Sequence, residues 1–237
     1  VAGGGGGGGR GGVIRKSVDM GVSCRAQASG TFADLVEVGF ASDGRTGVAV
    51  GQSGTIVRTS NGGVVGGLEL ISAASEKRGF AIDLPLHGAP GIESRLASEN
   101  YLTLVFTFSD PVTSVAAIGE ATCGRIGAIR IDPQDAHRVL ASYLSNGCNG
   151  VVVACTIHDI AGSEGQTLSE ATVTMGLLLG DVTADGVVDD ADYQATKLDV
   201  GEITDNSNFR EDLNADGRID RNDARLVRRK SGSALLP

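Results

Sequence analysis

Two sets of oxygen-bearing residues near the C-terminal end have the spacing of a metal-wrapping loop. In the first, Asp181, Thr183, Asp185, Asp189 and Asp192 stand at positions one, three, five, nine and twelve, with Gly186 at six and Val187 at seven. In the second, Asp212, Asn214, Asp216, Asp220 and Asp223 repeat those positions, with Gly217 at six and Arg218 at seven. Alternate side chains of such a loop point inward. The carbonyl of position seven adds an oxygen, and glycine at six takes a turn that a Cβ would obstruct. All donors are oxygen, so the chemistry is capture of a hard cation. One match could be chance; two in tandem with every position filled point to two bound Ca2+ ions.

Charge agrees. Asp181 to Asp223 holds thirteen acidic and four basic residues, a net of −9, and the whole chain is also −9. Without cations these carboxylates repel one another, so cation binding and folding of this segment should be linked. Apolar residues interleave with the acids (Val187, Val188, Leu198, Ile203, Phe209, Leu213, Ile219, Leu226), which argues against an acidic disordered tail.

Both loops end in Asp, where an EF-hand loop ends in Glu, and each is followed by a helix-like segment. From about 179 to 236 the chain resembles a type I dockerin module. That resemblance implies a small pseudo-symmetric domain, half of it from each loop and its following helix, that binds a cohesin domain on another protein. Thr183 stands where the family usually has Asn or Asp. A hydroxyl is the weaker ligand, so the first site is expected to hold its ion less tightly. Loop positions ten and eleven, which often help dockerins choose a partner, carry Asp190-Ala191 and Arg221-Asn222. They match neither each other nor the hydroxyl-rich pairs common in the family.

The elements that position these loops are read from the rest of the 237-residue chain. Hydrophobic content of 41% supports a core, whereas aromatics at 4% and the absence of Trp are poor material for stacking on sugars. No run of eighteen apolar residues occurs, so no membrane-spanning helix is expected. The start at Val1, without Met or a basic-then-apolar leader, fits a processed product or fragment whose export signal lay upstream. Cys24, Cys123, Cys148 and Cys155 contain no CxxC pair, and their even count and wide spacing fit disulfides in an exported protein. Of three possible pairings, Cys123 with Cys148 is favoured because both lie at Gly-flanked turns between strand-like runs. Calcium loops and cysteines together indicate an extracellular or cell-surface setting.

Nine of the 36 glycines lie in the first twelve residues, which would ordinarily form a flexible tail. A Gly-punctuated β pattern follows. Phe40 to Gly63 resembles one blade repeat of sialidase-like or photosystem-assembly-factor propellers, but one repeat cannot close a propeller. Two or three strands joined by tight turns, with signals at Gly54 and Asn61-Gly62, are the simpler expectation. From about Gly66 to Gly180 six strand-like runs start at Phe80, Leu102, Ala128, Arg138, Val151 and Ala171. Leu104, Phe106 and Phe108 share a face, as do Val151, Val153 and Cys155. This region reads as a β-sandwich of immunoglobulin-like type, and Asp83–Glu93 and Val105–Pro111 resemble bacterial Ig-like domains that precede dockerins.

The expected fold is therefore mainly β: a Gly-rich tail over 1–17, a Gly-punctuated β segment over 18–65, an Ig-like sandwich over 66–179 and a small α-helical calcium module over 180–237. The link at Met175–Gly180 is short, so the last two should pack together.

Catalytic signals are thin. Eight of the nineteen aspartates are accounted for as loop ligands, and the clustering of acids there reads as calcium binding and not as a carboxylate pair for glycoside hydrolysis. His87, His137 and His158 stand apart, and no Gly-x-Ser-x-Gly or phosphate loop occurs. The acidic charge argues against nucleic acid. Arg225, Arg228, Arg229 and Lys230 form a basic helical face that would oppose a helix C-terminal dipole. The reading is a non-catalytic, secreted, calcium-binding attachment protein whose partner is a cohesin-like domain. One alternative is a subunit of a calcium-stabilised filament or tube, a homopolymer in which Val13-Ile14 adds to a neighbour's sheet. The other is the non-catalytic end of a larger secreted hydrolase.

Overall fold

The structure, a computed structural model, describes residues 6–8, 10–16, 22, 25–41, 47–59, 67–95, 101–163 and 166–236. Cys24 and the expected turn at Asn61-Gly62 lie outside them. The chain divides into two compact units, Val1–Gly67 and Leu68–Pro237. Among the described residues it is mainly β, and both α-helices fall in the calcium-loop region, as expected.

The first unit holds two three-stranded antiparallel sheets. One is β1 (Gly6–Gly8), β2 (Val13–Lys16) and β3 (Arg25–Ala28), in that order. Here the structure departs from two expectations. Gly6–Gly8 is a paired strand, because a ladder needs only backbone N–H and C=O groups, which glycine has. And β2 pairs on both sides within its own chain, with Gly6–Gly8 on one edge and Arg25–Ala28 on the other. Ile14 is therefore paired on both edges, with Gly8 and Gln27, while Val13 pairs with Ala28. The other sheet is β4 (Leu35–Phe40), β5 (Gly47–Gly51) and β6 (Ile56–Thr59). It has the three short strands that the turn spacing implied.

The second unit is built on two sheets. One runs β13 (Arg125–Ile131), β14 (Arg138–Leu144), β10 (Tyr101–Phe108), β7 (Leu70–Lys77) and β8 (Phe80–Asp83). The other runs β11 (Val112–Ser114), β15 (Val151–Gly162), β16 (Thr167–Leu177) and β9 (Gly91–Glu93), with β12 (Gly119–Ala121) also on β15. Period-two alternation puts Leu104, Phe106 and Phe108, with Val139 and Tyr143, into a core shared with Val153, Cys155, Ile157, Val173 and Met175. Cys123 and Cys148 are disulfide-bonded, and Cys155 is a free, buried thiol. The Tyr143 hydroxyl, inside this core, donates to the Cys123 carbonyl at 2.8 Å.

Strand β9 matters most for the loops. It is the parallel edge partner of β16, in register from Gly91 with Met175 to Glu93 with Leu177. A Cβ on Gly91 would lie 2.0 Å from the Asp83 carbonyl oxygen, so only glycine lets this strand in. The chain leaving β16 stays on the same edge, with Leu178 N–H donating to Glu93 O at 3.2 Å and Gly180 N–H to Ser94 O at 3.1 Å. Asp181 is the next residue.

Candidate metal centre

Each loop runs into a helix: α1 is Asp190–Leu198 and α2 is Arg221–Lys230. The ninth loop residue is the N-cap in both. Asp189 accepts from Ala191 N–H and Asp220 from Asn222 N–H, while Asp192 and Asp223 reach back to the cap N–H groups at 2.8 and 2.9 Å. These are capping boxes closed by Asp at the third helical position, so one carboxylate both ends the loop and starts the helix.

The remaining loop bonds repeat in the same way. Asp181 accepts from Asp185 N–H at 3.2 Å and Gly186 N–H at 2.8 Å; Asp212 accepts from Asp216 N–H at 3.0 Å and Gly217 N–H at 2.9 Å. Asp192 and Asp223 each accept from the third residue's N–H, at 3.0 and 3.2 Å. Asp185 and Asp216 accept from Val187 and Arg218 N–H at 2.9 and 3.0 Å. Gly186 and Gly217 take φ of 90° and 97°, and the alanines at position four, Ala184 and Ala215, sit at 59° and 51°. The third positions differ. Thr183 Oγ1 lies 3.4 Å from Asp181 Oδ1 and donates to Asp192 Oδ1 at 3.0 Å, whereas the Asn214 amide nitrogen donates to Asp216 Oδ2 at 3.0 Å.

The chain after each helix straps the other helix's loop. After α1, Gly201 N–H donates to Ile219 O, Ile219 N–H to Glu202 O and Thr204 N–H to Gly217 O. After α2, Gly232 N–H donates to Val188 O, Val188 N–H to Ser233 O and Leu235 N–H to Gly186 O. A shared core of Leu178, Val182, Val188, Leu213 and Val227, together with Ile92 of β9, lies beneath.

The module also grips the sandwich. The second strap ends with Leu236 N–H donating to Gly150 O at 3.0 Å and with Leu236 bridging Val151. From the stretch between α1 and the second loop, Arg210 donates to Ile92 O at 3.0 Å. Phe209 stacks on Phe80 with centroids 5.6 Å apart, and the Arg95 guanidinium lies 5.0 Å from the Phe209 ring centroid. Arg95 is itself buried and bidentate to Glu93, at 2.8 and 3.0 Å, and Glu93 also accepts from the Ser75 hydroxyl. Sequence reasoning missed Ser75, Glu93, Arg95 and Arg210, and read Phe209 only as an apolar residue among the acids. An Arg two residues from a Glu looks like ordinary surface until the fold buries both.

Electrostatics supply the test of fit for a cation. Asp181, Asp192 and Asp223 are 0% exposed and Asp212 is 2%. Among the described residues none of the four has a basic group within 4.0 Å. Desolvation by burial pushes the Asp181 carboxyl above its ordinary value; N–H bonds from Gly186 and Asp185 pull it back, and the charges of Asp192 and Asp185 push it up further. Asp223 is raised in the same way, by burial first, with Asp212 and Asp220 adding to it. Buried carboxylates without a basic partner are what a bound cation stabilises. Among the described residues no three His, Cys, Asp or Glu side chains form a metal-holding group by themselves. An all-oxygen site here would draw also on Thr183, Asn214 and the carbonyls of Val187 and Arg218. The donors present suit a hard cation and no softer one.

Paired loop–helix units, related by a local two-fold exchange of straps and lined with carboxylates, define a calcium-binding module of the double-loop class. Residues 179–230 match the dockerin type I domain, so this end of the chain is a type I dockerin module. Such modules bind calcium and attach one protein to another through a cohesin partner. No curated protein and no solved structure matches the chain. Among the described residues no helix is long and apolar enough to cross a membrane.

Proposed function

We propose that this chain is a non-catalytic, secreted attachment protein. In this reading the dockerin module is the docking end, a cohesin-like domain is its partner, and the sandwich is the body it serves. Two Ca2+ ions are held, one by Asp181, Thr183, Asp185, the Val187 carbonyl, Asp189 and Asp192, the other by Asp212, Asn214, Asp216, the Arg218 carbonyl, Asp220 and Asp223. The four buried carboxylates without a basic partner carry the reading, in a segment that matches the dockerin family. The Cys123–Cys148 disulfide favours an oxidising, calcium-rich exterior, where sites of this kind would be filled. Calorimetric titration of Ca2+ into chelator-stripped protein should give two ions per chain. Absence of binding heat, with no change in melting temperature on adding calcium, would refute it.

A further inference from the structure

In the first unit, the sheet of β4, β5 and β6 turns one face inward. Leu35 and Ala49 are buried, and Val38 and Val57, the ladder partners of Ala49, are half-buried. Period-two alternation sends the opposite set outward. On that side the ladder gives two rows across the three strands: Glu37, Val50 and Ile56, then Gly39, Val48 and Arg58. Positions on the solvent side of an antiparallel sheet are ordinarily polar. Here the middle strand offers only valine, and Val48, Val50 and Ile56 are 37%, 38% and 64% exposed. Val36, at the register shift beside Glu37, is 74% exposed. Such a patch marks a contact surface. Glu37 and Arg58 stand at diagonally opposite corners of the two rows, with the width of β5 between them. Both are exposed, and among the described residues neither has an ion-pair partner.

We infer that this face is the contact of a two-fold dimer, and that its occupant is the same face of a second copy of the chain. The corner charges carry the assignment. A two-fold axis lying between the faces, along the diagonal through Ile56 and Gly39, exchanges the other two corners, so Glu37 of each copy meets Arg58 of the other. The same operation sets Ile56 on Ile56 and gathers the valines between the charged corners. Gly39 meets Gly39, and a Cβ there would find nothing within 4 Å in its own chain, so the corner is open to close approach. The strands of the two sheets then cross near a right angle, one of the two ways in which sheets stack. A partner of uniform charge would satisfy one corner and be repelled at the other. Two rows of three residues are few beside the about 20–30 a side of a standard interface, so the pair is a weak, concentration-dependent one. The inference does not rest on the attachment reading, whose calcium ligands all lie in the second unit. Joined with it, one pair carries two docking ends.

The test is sedimentation of the full chain in millimolar Ca2+. It should show a monomer–dimer equilibrium with a dissociation constant on the order of 50 µM. Ile56→Asp, on the two-fold axis, should weaken association at least about tenfold by placing two carboxylates face to face. Glu37→Arg and Arg58→Glu should each weaken it about tenfold, because like charges then meet at both corners. All three positions are exposed, so each variant should keep the melting temperature of the unaltered chain. Mixing the Glu37→Arg chain with the Arg58→Glu chain should restore association, since every corner of the mixed pair again joins opposite signs. The chain carrying both substitutions should associate like the unaltered one. A chain that stays monomeric at about 200 µM overturns the inference, whatever covers the face instead. So does a dimer that Ile56→Asp leaves intact, which would place the contact elsewhere. Two variants that are each monomeric and stay so when mixed overturn it as well, because the corners then do not meet.

Discussion

The two calcium loops are near copies in sequence and bonding, but they are anchored to different things. The strap over the first loop, residues 232–236, continues onto the sandwich at Gly150 and Val151. The strap over the second, residues 201–204, ends within the module, and its Ile203 side chain is largely exposed. The second loop reaches the sandwich instead through side chains ahead of it, Phe209 and Arg210. One loop is thus sewn to the body by backbone and the other is propped by packing. A local motif can be duplicated exchangeably while its surroundings decide what each copy supports.

Removing calcium should have the largest effect, because it acts on both loops. At millimolar Ca2+ a micromolar site adds about 4 kcal/mol of stability, so chelation should lower the melting temperature more than any single substitution below. Breaking the prop of the second loop comes next. Glu93→Ala leaves Arg95 buried and unpaired, at a cost of about 3–5 kcal/mol in thermal unfolding. Asp185→Ala and Asp216→Ala then separate the anchors. By hydrogen exchange, Asp185→Ala should speed exchange of the Leu236 amide and Asp216→Ala should not; equal protection in both would mean that the two anchors are equivalent. Thr183→Asn makes the third positions alike and should tighten the first site by about 1 kcal/mol, read by calorimetry. The smallest effect is expected at position four. Ala184→Gly and Ala215→Gly relieve a left-handed alanine and should each raise stability by about 0.5 kcal/mol.

What could be read in the sequence was what is local. Twelve loop positions are covalently close, so their oxygens announce themselves by spacing alone. Strands such as Leu102 to Phe108 alternate plainly, and turn glycines flank Cys123 and Cys148. Strand β7 was missed because Leu-Ile-Ser-Ala-Ala-Ser-Glu-Lys has little apolar alternation; it lies between β10 and β8, and its Ser75 and Lys77 are buried as polar groups. Strand β9 is three residues long and pairs in parallel with a strand far along the chain, which no short window reveals. The crossed straps and the Glu93–Arg95–Phe209 contact join residues that the chain brings together only when folded. The Gly-rich start misled in the opposite direction: its composition suggests a free tail, while Gly6–Gly8 pair as a strand.

Cys155 lies fully buried in the same sandwich core as Tyr143 and Cys148, and burial pushes its thiol up to about 12. Thiol–disulfide exchange needs a thiolate and a line of approach to sulfur, and the closed core denies Cys155 both. In the unfolded chain four cysteines can pair in three ways. Closing the sandwich removes one competitor from that reaction, so the core acts as a protecting group for the Cys123–Cys148 bond, which shuffling can reach only when the sheets part.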